Sequence, residues 1–160
     1  MSGPYQRGRR RLVTSTRTPK ERNIMTITLT DQDKLTLRTA AFGAVSLIAA
    51  AGAAGGSPHK AATQGSITLG TATGLVGHVL AEKAKSVKLD GKNVAELADL
   101  VLPALTASMS LLAQQAPAEA DNFRGTVLVA VEAAVQAHKG RLSPAITEMS
   151  RKITAALDAA

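Results

Sequence analysis

Three histidines, a dozen carboxylates and a scatter of hydroxyl side chains are the groups from which chemistry could be built here, and their spacing assembles none of the usual devices. His59, His78 and His138 form no His-x-x-x-His pair. None is expected to meet a carboxylate at a ligand-like spacing along its own helix, so a metal site would need ligands from separate helices. His138 is placed near a helix end, where a cation is favoured. Thr106, Ser108 and Ser110 lie in a helical stretch with no G-x-S-x-G elbow, which leaves a hydrolase triad unsupported. Glu119, Asp121 and Glu132 are too few and too surface-patterned for a working carboxylate pair. With no cysteine in the chain, disulfides, cysteine-ligated zinc, iron–sulfur clusters and thiol nucleophiles are excluded. Gly70-Thr71-Ala72-Thr73-Gly74 is too short and lacks the lysine of a phosphate-binding loop. The reading is therefore of a non-enzymatic protein with no catalytic, cofactor-binding or metal-binding residues and no cofactor. An enzyme or small-ligand site in a cleft between helices stays open as an alternative, because sites assemble in three dimensions.

The elements that would position any such groups are helices. Val94, Leu97, Ala98, Val101, Leu102, Leu105, Met109 and Leu112 recur at spacings of three and four, which places them on one face of a helix. Asn93 suits its N-cap, with Glu96 three residues on for a capping box. This stretch, Asn93 to Gln115, is expected to be the central rod of the fold. Pro103 interrupts it: an interior proline removes a backbone donor at a cost of roughly 3 kcal/mol. A kink or a junction of two helices is expected there, read as a candidate hinge or as simple curvature around neighbouring helices.

Upstream, Thr30 should cap a helix running from Asp31 to about Ala51, with Asp31 and Asp33 complementing the dipole and Leu35, Arg38, Phe42, Val45 and Ala49 along one face. No charged residue occurs between Thr39 and Pro58. The stretch has the ~20 residues of a membrane span, but Ala, Gly, Ser and Thr make it only weakly hydrophobic. A buried bundle helix is the expectation; a cleaved signal ending near Ala51–Ala54 and a membrane anchor are the alternatives. Ser57-Pro58 restarts a helix expected to reach about Lys85, striped by Leu69, Ala72, Val76, Val79 and Leu80 and weakened by Gly65, Gly70, Gly74 and Gly77. The Gly70-x-x-x-Gly74 spacing reads as a close helix crossing in a soluble protein. Lys83, Lys85, Lys88 and Lys92 gather beyond it, interspersed with Glu82 and Asp90, and read as a solvated face. Ala116-Pro117 opens a further helix to His138 or Lys139, striped by Phe123, Val127, Leu128, Val131, Ala134 and Val135, with Gly140 as its C-cap glycine. Ser143-Pro144 opens a last one carrying Ile146, Met149, Ile153 and Leu157. The fold class is all-α: a compact bundle of about five helices with a disordered basic N-terminal tail.

Length and charge agree with that division. The 160 residues suffice for one core, and with one Tyr, two Phe and no Trp that core must be aliphatic. Formal net charge is +7, yet residues 1–24 hold seven basic residues against one acid, while twelve against eleven follow from Met25 onward. The basicity belongs to the tail. Arg7, Arg9, Arg10, Arg11 and Arg17 are its candidate nucleic-acid contacts, acting through phosphates alone. Lys20-Glu21 can be encoded as a purine run resembling a ribosome-binding site, three codons before Met25. Translation is therefore expected to begin at Met25, which would make residues 1–24 a translated leader and residues 25–160 the single domain.

The segments TLTDQDKLTLRTAAFGAVSLI, SPHKAATQGSITL and ADNFRGTVLVAVEAA resemble small helical proteins of actinobacteria, of the mycobacterial type, to which no activity is assigned. The resemblance starts at Met25 and covers nearly all that follows. It implies an all-helical domain and brings no functional residues with it. The expected role is protein–protein interaction or self-association in the cytoplasm, with the chain itself or another protein as partner. Nucleic acid is a partner only if the tail is present. A secreted or membrane-associated protein is the remaining alternative.

Overall fold

The computed structural model describes residues 29–53, 57–82, 93–138 and 143–160. They form an all-α fold of six helices: α1 (Asp31–Ala51), α2 (Pro58–Leu69), α3 (Gly74–Ala81), α4 (Val94–Gln115), α5 (Pro117–Gln136) and α6 (Pro144–Asp158). The basic tail, the lysines at 83, 85, 88 and 92, and Gly140 lie outside the described residues.

Local chemistry starts most of these helices where the sequence places them. Thr30 accepts from the Asp33 amide at 3.0 Å, and the Asp33 carboxylate accepts from the Thr30 amide at 3.0 Å, a complete capping box. Ser57 caps α2 through the Lys60 amide at 3.2 Å, Asn93 caps α4 through Glu96 at 2.9 Å, and Ser143 caps α6 through Ile146 at 3.2 Å. Proline occupies the first turn of α2, α5 and α6, where no intrahelical donor is needed.

The helix at the centre is α1, not α4. Beyond Leu37, α1 buries residues on every side, including Ala40, Ala41, Ala44, Leu47 and Ile48. It packs against each of the other five helices. A helix apolar all round has no stripe, so periodicity passes over it; the signal for its position is the long uncharged run. The anticipated face of Leu35, Arg38, Phe42, Val45 and Ala49 holds for Arg38, Val45 and Ala49, while Leu35 and Phe42 are only half-buried. In α4 the expected stripe faces inward, with Leu97, Ala98, Val101, Leu105, Met109 and Leu112 buried. That burial is one-sided, as a stripe implies: α4 is a peripheral helix lying on α1.

The stretch read as one helix from Ser57 is two. Gly70 caps α2, the chain turns through Thr71–Thr73, and Gly74 begins α3 at φ 71°, a left-handed conformation that L side chains rarely adopt. This break makes six helices rather than five. Gly70 and Gly74 flank the turn instead of forming a crossing. Close crossings occur elsewhere: a Cβ on Gly43 would strike Val101 and one on Gly65 would strike Val45, so these glycines let α4 and α2 approach α1. Pro103 lies on the exposed side of α4, which runs unbroken past it. Asp99, whose carbonyl loses its partner there, is also exposed, so the loss falls on the wet side.

Candidate functional site

Each of the three histidines has a separate fate. His59 is exposed in the first turn of α2. His78 does meet a carboxylate along its own helix, contrary to expectation: Glu82 lies one turn on, with Nε2 3.9 Å from Oε1. His138 does lie just past the end of α5, but as a buried ring, 2% exposed, with neither nitrogen hydrogen-bonded. It packs over Gly52, where an added Cβ would lie 2.5 Å from the ring, beside Ile146. No group of three or more potential metal ligands gathers among the described residues. Ser108 is fully buried and bonds back to the Ala104 carbonyl at 2.7 Å, and Thr106 reaches the Ala156 carbonyl of α6 at 2.7 Å. Both hydroxyls are occupied by backbone.

Glu82 is the hub of a charge cluster that links α3 to α1. Lys34 Nζ lies 3.3 Å from its Oε1, and Arg38 Nη1 lies 3.1 Å from its Oε2. Arg38 sits on the buried side of α1, 8% exposed, and also donates to the Val79 carbonyl at 3.5 Å. The hydrogen bond and charge of Lys34, reinforced by Arg38 against partial desolvation, hold the Glu82 carboxyl below its ordinary value. This is structural work: it fastens the end of α3 to α1.

The other end of α3 is fastened by α5. Glu119 Oε1 accepts from the Val76 amide at 3.0 Å, replacing the cap that Thr73 does not supply. Asn122 Nδ2 donates to the Thr73 carbonyl at 2.8 Å. Sequence reasoning read Glu119 as a surface carboxylate and missed that it caps another helix. Nothing local encodes that partnership.

Beside this junction an open cleft of about 390 Å³ runs between the α2–α3 turn and α5. Thr68, Thr71, Ala72 and Thr73 form one wall; Asp121, Asn122, Gly125, Thr126 and Val129 form the other. Asp121, Gly125 and Val129 are four residues apart and exposed, so they line the same face of α5. The sequence signal that could have marked this wall is Gly125 itself, a glycine inside an otherwise good helix. Such a residue costs about 1 kcal/mol relative to alanine. Gly43, Gly65 and Gly77 each sit where a Cβ would run into Val101, Val45 or the Ala72 carbonyl, whereas a Cβ on Gly125 meets nothing within 4 Å. Packing does not require it.

The second surface feature is the outward face of α4. Leu100 is 40% exposed, Pro103 and Ala107 are exposed and Leu111 is half-buried, all on one side of the helix. No charged residue occurs from Leu100 through Ala118. In its most apolar 18-residue stretch only 28% is buried, against 56% for α1. Comparison with protein-family models, with curated proteins and with solved structures finds no match.

Proposed function

We propose that this protein is a non-enzymatic helical interaction module that self-associates through the outward face of α4. The supporting observation is the apolar, uncharged surface that α4 leaves uncovered after its inner stripe has met α1. Two copies related by a twofold axis would lay Leu100, Pro103, Ala107 and Leu111 against their counterparts. Antiparallel pairing suits the charges: Glu96 and Asp99 at one end of the helix would then face the uncharged end of the partner. A single helix pair about 33 Å long is a small interface. The association is accordingly weak and concentration-dependent.

Both α1 and α4 have the length and composition of a membrane span. The burial of α1 within the bundle supports its role as a core helix, and the proposal places the protein in the cytoplasm, among the small helical actinobacterial proteins its segments resemble. Light scattering of the full chain over a range of concentrations tests the reading. A dimer that Leu100→Lys together with Leu111→Glu converts to monomer, with helical circular dichroism retained, is the expected result. A monomer at every concentration up to millimolar overturns it.

A further inference from the structure

We propose that the cleft between the α2–α3 turn and α5 binds a small hydroxylated ammonium compound, of the amino-sugar or amino-alcohol class. Its volume of about 390 Å³ falls within the ordinary range for small-ligand sites. Its charge is set by subtraction. Of the two carboxylates on the first turns of α5, Glu119 is committed to the Val76 amide at the start of α3. Asp121, on the cleft wall, has no ion pair or hydrogen bond among the described residues. The α3 terminus, already occupied by Glu119, offers little to an anion, and no basic side chain lines the cleft. What remains is one carboxylate on the wall of a recess of mixed polar and apolar lining, which favours a cation over an anion.

The other lining groups specify hydroxyls. The Thr73 side chain makes no cap hydrogen bond, and the Thr126 hydroxyl has no partner among the described residues. Thr68 and Thr71 donate to the Gln64 and Thr68 carbonyls, which leaves their oxygens able to accept. Val129, 59% exposed, and Ala72 offer an apolar wall for the carbon skeleton of a polyol. Gly125 lies midway between Asp121 and Val129, and its missing side chain leaves that wall of the cleft open. A helix-weakening glycine without a packing reason, on the wall of a cleft, is a local departure of the kind that functional sites carry.

Amide chemical-shift titration of the full chain with glucosamine tests the proposal, with glucose as the uncharged control. Saturable shifts confined to Thr71–Thr73 and Asp121–Val129, much weaker with glucose, are expected. Asp121→Asn should weaken glucosamine binding about tenfold, the loss of one charge-assisted contact. Gly125→Leu should abolish it while preserving or raising the thermal transition, because the position is open and leucine favours helix. Absence of saturable shifts, equal binding of glucose, or undiminished binding by the folded Gly125→Leu protein would each overturn the assignment.

Discussion

Gly65 and Gly125 are the same residue type inside helices of similar character, yet a methyl group added to each has opposite consequences. At Gly65 it would run into Val45 across the α1–α2 crossing, and Gly65→Ala is expected to cost about 1–3 kcal/mol through overpacking. At Gly125 it meets open space, and Gly125→Ala should stabilise by about 1 kcal/mol. Urea unfolding of the two variants measures both signs. Sequence marks each glycine as a weak point but carries no information about what stands opposite it. Arg38 shows the same limit: its place on an apolar face was readable, its acceptor forty-four residues away was not. That acceptor, Glu82, predicts a pH dependence. Because its carboxyl is held below the ordinary value in the folded state, its contribution is present above that ordinary value and is lost as pH falls through the lowered one. The acid limb of the stability curve should therefore flatten in Glu82→Gln, as followed by thermal melts across the carboxylate range.

Among elements, the helices with local start signals were legible and the break between α2 and α3 was not. Thr30, Ser57, Asn93 and Ser143 each cap within three residues of themselves, so the sequence holds both partners of the bond. Helix α3 is different. Eight residues are too few to hold a helix alone, and its two ends are secured by Glu119 from α5 and by Lys34 and Arg38 from α1. Glu119→Ala should cost about 1 kcal/mol, the value of a lost cap. It should also speed hydrogen exchange at Val76–Ala81 more than in α4, which keeps Asn93 as its own cap. Uniform acceleration through the bundle would show that α3 is not held in this way. Because the cleft shares its wall with this junction, Asn122 and Thr73 contribute to both the fastening of α3 and the shape of the recess.

In the molecule as a whole, one cluster of buried aliphatic side chains draws on all six helices, with Phe123 the one aromatic inside it. Fold class followed from helical spacing and caps. The identity of the central helix did not, because a helix surrounded by neighbours loses the one-sided pattern that periodicity detects. Central placement has a consequence in time as well as in space. Helix α1 leaves the ribosome first, but α4, which covers much of it, is complete only at Gln115. Synthesis at about 5–20 residues per second separates the two by several seconds. Through that interval the uncharged part of α1, from Thr39 onward, has only α2 and α3 available to pack against it. The helix that later anchors the bundle thus keeps the face that α4 will cover exposed during translation, and pauses in synthesis before Gln115 would lengthen that exposure.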